Sequence, residues 1–463
     1  MLGINEKLNS LQAENKTINV AIAGIGQMGS SIVSHLNSLK AFKVCAIANR
    51  NVQKSYDRIK SLGYSDNDIY VVEKDSTKNG CSRNELYSNL TKPDFLKKSY
   101  PEDCDKTYSE ISKAIQSGKI IFTDSLKVMS QIKEVDVIVD ATGNPEAGAQ
   151  IAITGISNKK HVVTLNVEAD TSIGPLLKKL AINSGVVYTV AAGDEPAALK
   201  ELYDFAAALN LEIIAAGKGK NNPLNRDANP TTLKEYAEQK GTSPKMMTSF
   251  VDGTKSMVEM ACFSNATGII PDCRGMHGPH VNVEDLTKVF SLKRDGGILD
   301  KKGIVDFAIG NVAPGVFLVY STDQDILRKE LKYLLFGDGP NYLLYRPFHL
   351  ASIESPLSIA RAYFYNEPTI TPKNGMISEV ITIAKIDLKK GELIDGIGGY
   401  SVYGLIELYQ KAKDMNLLPL GLSEGADLRN DVKKGEPIRY EDVHISDDSL
   451  IYNLRKLQEM IIG

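Results

Sequence analysis

Residues 18–50 constrain this chain most, because they place a glycine-rich turn between two apolar runs. The first run, Ile18 to Ala23, leads into GIGQMG at 24–29, and a helical pattern of apolar residues follows. A second apolar run, Phe42 to Ala48, completes a strand–helix–strand unit. GxGxxG alone is weak evidence, but in this context it predicts a dinucleotide-binding fold. The alternative is a glycine-rich turn without a ligand.

The three glycines of this turn have distinct expected roles. Gly24 permits the tight turn, Gly26 lets the backbone approach a pyrophosphate, and Gly29 lets the helix pack close to the strand. A helix that starts near Gln27 and Met28 presents free N–H groups to the phosphates. We therefore expect all five residues to bind the cofactor.

The tip of the second strand indicates which dinucleotide is bound. Enzymes that prefer NAD usually carry an acid there, which accepts hydrogen bonds from the ribose 2′-OH. This chain has Asn49 and Arg50 instead. Arg50 can pair with a 2′-phosphate, and Asn49 can hydrogen-bond the same group without repelling it, so NADP is predicted. The alternative is that Arg50 is only a solvated loop residue.

Composition limits the class of protein. A chain of 463 residues is expected to form two or three domains. Its net charge of −3 offers no electrostatic footprint for nucleic acid, and no apolar run is long enough to span a bilayer. The polar N-terminus does not resemble a secretory signal. Five scattered cysteines favour a reducing cytoplasm and disfavour a structural zinc site.

The strand pattern continues beyond a polar stretch at 64–115 that looks like an insertion. The run VDVIVDATG at 135–143 is continuous and apolar, as expected of a strand buried on both faces of a parallel sheet. Its small final residues, Ala141, Thr142 and Gly143, leave room beside the nicotinamide. The next strand, HVVTLN, ends at Asn166, a further expected cofactor contact.

From residue 211 the pattern changes, and an apolar strand runs into a predicted loop of Lys218, Gly219, Lys220 and Asn221. A lysine that opens over the crevice can stabilise an oxyanion or donate a proton, so both lysines are candidate catalytic residues. Asn221 is a candidate substrate contact. The alternative for the lysines is that they are solvated surface charges.

Acidic residues supply a second set of candidates. Asp252, Lys255 and Glu259 share one predicted helical face, where they either hold a substrate hydroxyl or divalent ion or form an ordinary ion-pair ladder. These two interpretations carry equal weight, and Lys255 is a further candidate catalytic residue, which takes the role if neither Lys218 nor Lys220 has it. Asp194 and Glu195 follow another strand and are expected to reach the crevice, which makes Glu195 a candidate catalytic residue.

Histidine and arginine residues in two predicted loops complete the set of candidate site residues. Arg346 and His349 are expected to bind a phosphate or carboxylate of the substrate, against the alternative of a packing loop. His277 and His280 have HxxH spacing, but a turn with hydrogen-bonding histidines is favoured over a metal site. The sequence thus indicates no metal ligand, although a divalent ion is not excluded.

The C-terminal part contains an internal echo. DLKKGELI at 387–394 matches DVKKGEPI at 431–438, and each is an apolar pair around a charged turn whose glycine is expected to adopt positive φ. We expect a small β module with pseudo-symmetry. The glycine-rich segment 394–400 between the two repeats is expected to cover the substrate.

The sequence resembles homoserine-dehydrogenase-like NAD(P)-dependent oxidoreductases in GIGQMG, VDVIVDATGNP and HVVTLNVEAD. Val167 follows Asn166 where homoserine dehydrogenases usually carry lysine. AAGKGKNNP, DGTKSMVE, YRPFHL and the two KKGE turns resemble a branch that ends in a SAF domain and includes enzymes similar to 1-deoxy-D-xylulose 5-phosphate reductoisomerase. The resemblance spans residues 17–445 and implies an NAD(P)-binding Rossmann domain at 17–165, after a polar extension at 1–16. An α+β substrate and dimerisation domain is expected at 166–375, and a β-rich SAF-like module at 376–463.

These observations predict a cytoplasmic, homodimeric, NADP-dependent oxidoreductase. Its expected substrate is a small polyhydroxylated or phosphorylated carbonyl compound, and the reduction is expected to include a reductoisomerase-type reaction, in which it is coupled to an isomerisation. One alternative is a homoserine-dehydrogenase-like enzyme with another substrate. The other is a non-catalytic NADP sensor, which would be expected to carry only the glycine-rich turn.

Overall fold

The computed structural model describes residues 3–50, 52–72 and 103–462. The helices are α1 (Ile4–Ala13), α2 (Gln27–Ser38), α3 (Val52–Ser61), α4 (Asp103–Gln116), α5 (Leu126–Gln131), α6 (Pro145–Ser157), α7 (Val167–Ser184), α8 (Glu195–Ala208), α9 (Lys234–Gln239), α10 (Pro244–Val251), α11 (Thr254–Thr267), α12 (Leu286–Val289), α13 (Asp325–Tyr333), α14 (Ala351–Tyr365), α15 (Tyr409–Asp414) and α16 (Leu450–Ile461).

The strands are β1 (Ile18–Ala23), β2 (Phe42–Ala48), β3 (Ile69–Val72), β4 (Ile120–Thr123), β5 (Val137–Asp140), β6 (His161–Thr164), β7 (Tyr188–Val190), β8 (Glu212–Lys220), β9 (Ile270–Pro271), β10 (Ile304–Ile309), β11 (Val316–Ser321), β12 (Asn341–Arg346), β13 (Ser378–Ala384), β14 (Val402–Leu408), β15 (Asp427–Leu428) and β16 (Val443–His444).

A seven-stranded parallel sheet forms the N-terminal part, in the order β3-β4-β2-β1-β5-β6-β7. This confirms the predicted parallel α/β sheet, which is consistent with a Rossmann-like domain. Strand order reverses between β1 and β5, and the crevice at such a reversal is where ligands bind in open α/β sheets. The glycine-rich turn after β1 therefore lies at the expected position.

The sheet is larger than the sequence indicated. It continues to Val190, beyond the boundary drawn at 165, and α14 returns to pack on α2. β3 and α4 lie inside the stretch interpreted as an insertion, yet β3 pairs with β4 and α4 buries Ile111 and Ile115 against the sheet. A four-residue strand among polar residues gives little periodicity to detect. Residues 73–102 lie outside the described residues.

A second sheet has five strands in the order β12-β11-β8-β10-β9. Its central strand β8 runs through Lys220, so the expected loop at Lys218 and Lys220 is wrong. Gly217 and Gly219 are strand glycines: a Cβ on Gly217 would lie 2.2 Å from Asp306 O, and one on Gly219 would lie 2.2 Å from Ala313 N. Both glycines therefore allow neighbouring backbone to approach closely.

The C-terminal part shares its core with the rest of the molecule. β13 and β14 pair with each other and pack on α11, while α16 packs on α6 and α7. Apolar side chains from both regions form one hydrophobic cluster. Residues 376–463 therefore share most of their core with earlier helices, and Ile381, Ile383, Ala412 and Leu417 form a small cluster of their own. A SAF identity stays a prediction.

The two segments that carry the KKGE turns pair with each other, a contact that the internal echo alone did not predict. Leu388 and Val432 exchange backbone hydrogen bonds of 2.9 and 3.0 Å. Gly391 has φ of 89° and Gly435 has φ of 84°, which confirms the expected positive φ. Across the three described stretches of the chain, no helix has the length and apolar character needed to cross a membrane.

Candidate functional site

The glycine-rich turn has the shape that a pyrophosphate site requires. A Cβ on Gly29 would lie 2.0 Å from Gly24 O, so the helix and strand touch there. Around Gly26 no heavy atom lies within 4 Å of an added Cβ, which leaves open space beside the backbone. α2 begins at Gln27 with no side-chain cap on Gly26, so the first N–H groups, including that of Met28, have no partner in the helix.

At the tip of β2, the two candidate cofactor residues have different environments. Asn49 Oδ1 accepts a hydrogen bond from Ile25 N at 3.3 Å, and its amide donates to Ser55. Asn49 therefore holds the glycine-rich turn, and the expected contact with a 2′-phosphate is not supported. Arg50 is exposed directly beyond the strand. Arg58, which the sequence analysis missed, donates to Ile25 O at 2.9 Å.

The loop after β5 is fixed by hydrogen bonds to buried side chains. Asp140 Oδ1 accepts from Thr142 N at 2.9 Å and from Thr142 Oγ1 at 2.7 Å. Asn166 caps α7 and donates to Asn144 O at 2.7 Å. Asn166 thus supports the loop of Ala141 and Gly143 from below, rather than facing the crevice as expected.

Helix α10 connects this loop to the lysine-bearing strand. An added Cβ on Gly143 would lie 3.7 Å from Met246 Cε, so the first turn of α10 lies beside the expected nicotinamide position. At the last turn, Lys220 Nζ donates to Phe250 O at 2.5 Å. Met246 and Phe250 are separated by about 6 Å along a helix. Lys220 therefore contacts the same helix as the loop of Gly143, one helical turn further along α10.

Lys218 is the centre of a buried charged cluster. Its ammonium contacts Glu195 Oε1 at 2.6 Å and also pairs with Glu259. His349 Nε2 lies 3.4 Å from the same Glu195 oxygen, and His349 Nδ1 lies 3.2 Å from Gly193 O. α8, β8, α11 and the loop before α14 each supply one member. Four predicted site residues are thus brought together.

The cluster shifts the proton affinities of its members in opposite directions. Burial lowers the pKa of Lys218, but Glu195 and Glu259 outweigh it and hold that pKa above the usual range. Burial raises the pKa of Glu195, but Lys218 and His349 bring it well below its usual range. Burial and the charge of Glu195 raise the pKa of Glu259 to about 7. Burial and Glu195 also raise the pKa of Asp194.

Lys220 has a different environment, although it is on the same strand. Burial, followed by repulsion from Lys218, lowers its pKa to about 8. Arg226 lies close by, donates to Asp252 O, and stacks over the Tyr403 ring at 5.1 Å. Within the described residues neither Lys220 nor Arg226 has a carboxylate at ion-pair distance; the charge of Asp252 acts on both, but Asp252 is itself paired with Lys385, so three cations share one carboxylate beside α10.

Asp252 and Lys255 do not form the ion-pair ladder that their spacing allowed. Asp252 lies before α11, where its carboxylate accepts from Thr254 N at 2.9 Å and pairs with Lys385 at 2.9 Å. Lys255 pairs with Glu168 at 3.0 Å. Each charge is therefore compensated by a residue distant in sequence.

Other candidates are placed away from a free binding position. Arg346 pairs with Glu201 at 3.1 Å and Glu354 at 2.6 Å, so its guanidinium is already neutralised, and the expected anion contact is not supported. Asn221 is exposed beyond β8. His277 Nδ1 contacts Asp306 at 2.8 Å, in agreement with a hydrogen-bonded turn.

The carboxylates of Asp194, Glu195 and Glu259 offer oxygens within 4.8 Å of one another. Such hard ligands suit Mg²⁺ or Mn²⁺. However, the Lys218 ammonium pairs with two of these three carboxylates and compensates their charge. A divalent ion would fit this donor set only if that ammonium moved away.

Lys385, Arg226 and Glu168 are site residues that the sequence analysis missed. Lys385 is 133 positions from its partner Asp252, and Glu168 is 87 positions from Lys255. No local pattern marks such pairs, because only the packing of distant elements brings them together. Arg226 lay in a loop without periodicity.

A family model described as the catalytic domain of the oxidoreductase DRL matches residues 193–355. No curated protein sequence matches the chain. Among solved structures, biliverdin reductase from Synechocystis sp., in complex with biliverdin and NADP+, is 12% identical with a TM-score of 0.27, covering 45% of this chain and 48% of that chain.

1-Deoxy-D-xylulose 5-phosphate reductoisomerase from Zymomonas mobilis, in complex with NADPH, is 17% identical with a TM-score of 0.32, covering 53% of this chain and 57% of that chain. A probable dehydrogenase from Thermotoga maritima is 10% identical with a TM-score of 0.41, covering 78% and 92%. The chain thus spans about half the length of the first two of these proteins.

The matched region contains Lys220 and all four members of the Lys218 cluster, Glu195, Lys218, Glu259 and His349. Over residues 193–355 the chain is therefore similar to an oxidoreductase catalytic domain, which here follows a parallel sheet of the dinucleotide-binding type.

Proposed function

We propose that this protein is an enzyme that uses NADPH to reduce a small polyhydroxylated or phosphorylated carbonyl compound. The proposal includes reactions in which the reduction is coupled to an isomerisation, as in a reductoisomerase. The observation that carries the proposal is Lys220. It is a buried ammonium with a pKa of about 8, its hydrogen bond goes to the backbone carbonyl of Phe250, and the helix that carries Phe250 also contacts the loop of Gly143. A proton donor is most effective when its pKa is near the working pH.

The dinucleotide, when bound, supplies a hydride to the carbonyl carbon. Lys220 donates the proton that the carbonyl oxygen then requires, and its charge stabilises the developing alkoxide in a water-poor site. Gly26 and the start of α2 bind the pyrophosphate, and Arg50 and Arg58 bind the 2′-phosphate.

Lys218 has a separate role in this proposal. Two carboxylates stabilise its protonated form, so Lys218 is a poor proton donor. Its fixed positive charge is instead suited to orient the substrate. Glu259 and His349 beside it are suited to hydrogen-bond the hydroxyl groups of a substrate. Glu259, whose pKa is raised to about 7, can donate when protonated and accept when ionised, and the His349 ring has one donor and one acceptor nitrogen when neutral.

The excess positive charge of Lys220 and Arg226 supports an anionic substrate. Buried charge without a partner is costly, and a phosphate monoester carries about −1.5 to −2 near neutral pH. Arg226 offers a planar fork that matches such a group. We therefore include phosphorylated compounds in the substrate class.

The test is turnover of NADPH with a panel of ketose phosphates, aldonates and aspartate semialdehyde. Lys220→Met should lower kcat about a hundredfold or more, with NADPH affinity little changed. Lys218→Met should act chiefly on substrate KM. For the wild type, reduction should decline above about pH 8, because Lys220 then loses its proton.

Lys234→Met, at an exposed position at the start of α9, is the matched control and should retain full turnover. Near-wild-type kcat in Lys220→Met would contradict the assigned role. A protein that binds NADPH but turns over no compound of the panel would favour the sensor alternative. The homodimer is part of this proposal, and light scattering of the purified protein tests it.

A further inference from the structure

We infer that Lys385 is a positioning residue, which fixes helix α10 and through it Lys220 by joining three separate segments of the chain. The inference rests on the proposed function in one respect, which is that Lys220 is the proton donor. Lys385 itself lies at the end of β13, and nothing in the local sequence marks it.

The contacts of Lys385 use every hydrogen that its ammonium can donate. Nζ lies 2.9 Å from Asp252 Oδ2, 2.9 Å from Ala228 O and 2.9 Å from Gly399 O. These acceptors belong to the junction between α10 and α11, to the loop after β8, and to the glycine-rich segment 394–400. One side chain therefore ties three segments together.

Burial makes this connection sensitive to substitution. The Lys385 side chain is 2% exposed and that of Asp252 is 0% exposed. Removing one partner of a buried ion pair leaves an uncompensated charge, which is strongly unfavourable. The Lys385–Asp252 pair is therefore maintained only while β13 and the C-terminal end of α10 keep their relative position.

The glycine-rich segment also contacts the other end of α10. Lys245 Nζ donates to Asp395 O at 2.9 Å, and a Cβ on Gly398 would lie 2.0 Å from Lys245 O. The segment thus touches the first turn of α10 directly and the residue after its last turn through Lys385. α10 is held at both ends by the same segment.

This arrangement reaches the proposed proton donor. Phe250 O, in the last turn of α10, accepts the hydrogen bond of Lys220, and Asp252 follows two residues later. When Lys385 is lost, the end of α10 is released from β13 and from Gly399. The acceptor of Lys220 then moves, although Lys385 does not contact Lys220.

The first test is hydrogen–deuterium exchange of the full-length protein, which needs no substrate. Lys385→Met should increase exchange at least tenfold in peptides covering 244–253 and 394–401, with peptides from β1 and β5 unchanged. The double variant Lys385→Met/Asp252→Asn removes both charges and should show the same local release without an uncompensated acid. Lys389→Met removes an exposed lysine of the same C-terminal part and should change neither region.

The second test measures Lys220 itself. Its acetylation by acetic anhydride, followed by mass spectrometry, should be at least fivefold faster in both Lys385 variants than in the wild type, while acetylation of Lys234 stays constant. Where a substrate of the panel is turned over, kcat should decrease more than tenfold with KM for NADPH unchanged.

Unchanged exchange at 244–253, or unchanged acetylation of Lys220, would overturn the inference. Equal loss of protection throughout the molecule in both variants would also overturn it, because Lys385 would then act only in global stability. Local release in the absence of any NADPH turnover by the wild type would support positioning by Lys385 and would contradict the proposed function instead.

Discussion

Lys218 and Lys220 show how neighbours decide the chemistry of a residue. They are two positions apart on β8 and so point to the same face of the sheet. Two carboxylates keep Lys218 charged, whereas Lys220 faces a carbonyl, other cations and a dry environment. The same side chain is therefore an organiser at one position and a candidate proton donor at the other.

Arg50 gives a prediction about cofactor choice. Arg50→Ala should weaken NADPH binding by roughly 1–3 kcal/mol, because a charge-assisted hydrogen bond to the 2′-phosphate is lost, and should leave NADH binding almost untouched. Isothermal titration with both dinucleotides measures this. Lys40→Ala, at an exposed position before β2, is the control. Equal losses for both dinucleotides, or a wild type that prefers NADH, would contradict the prediction.

Asp170 gives a prediction about stability and pH. It is fully buried beside Tyr188 and Cys262, and burial outweighs hydrogen bonding by these two side chains and raises its pKa to about 7. Because the pKa in the folded state exceeds the unfolded value of about 3.9, the folded protein binds more protons. The contribution of protonated Asp170 to the free energy of unfolding is therefore lost as the pH rises from about 4 to 7.

Asp170→Asn removes this dependence. Relative to the wild type, the variant should gain on the order of 2–4 kcal/mol in the free energy of unfolding between pH 5 and pH 8. Urea unfolding at the two pH values measures the gain. Asp447→Asn, at an exposed acid, should leave the difference unchanged. Parallel pH curves for Asp170→Asn and the wild type would show that Asp170 is not protonated in the fold.

At the scale of elements, β8 explains why a loop was incorrectly predicted at Lys218 and Lys220. Its two glycines resemble those of a loop, but they lie where neighbouring backbone leaves no room for a Cβ. Gly219→Ala should therefore cost about 1–3 kcal/mol or more in the free energy of unfolding, through overpacking against Ala313. Urea unfolding measures the cost.

Gly435→Ala is the matched control for backbone strain. Gly435 has positive φ and open space around it, so alanine there should cost about 1 kcal/mol. A Gly219→Ala protein as stable as Gly435→Ala would mean that β8 is not packed against Ala313 as described.

The elements that could be predicted are those with local periodicity. Patterns a few residues long predict the unit β1-α2-β2, the apolar strand before Ala141 and the two KKGE turns. The Lys218 cluster could be predicted only as a list of candidates, because Glu259 is 41 positions from Lys218 and Glu195 is 23. Charge pairing between distant segments leaves no mark in either segment.

At the scale of the whole molecule, the C-terminal part is integral to the fold. Arg455 on α16 pairs with Glu379 at 2.6 Å and donates to Ser172 O at 3.0 Å, and both charged groups are buried. Glu146 on α6 accepts hydrogen bonds from the backbone of Leu450 and Ile451. The contacts of Arg455 with Ser172 and of Glu146 with Leu450 and Ile451 join residues that are 283 to 305 positions apart.

Deleting residues 376–463 should therefore impair more than the candidate site. The truncated chain exposes the apolar faces of α7 and α11, so we expect it to aggregate or to unfold at least 10 °C below the full-length protein. Calorimetry and light scattering measure this. Lys389→Met in the full chain is the control for changes confined to the surface. A monomeric truncated protein with an unchanged melting temperature would restore the view of an independent module.

The long separation between α7 and α16 has a consequence for synthesis. Chains emerge from the ribosome in sequence order, and domains generally fold as they appear. Here α7 is made well before the side chains that cover it, including Gln458, which lies 282 positions after Leu176 and accepts from its N–H at 3.0 Å. Until α16 has been synthesised, the apolar faces of α6 and α7 stay exposed to chaperones.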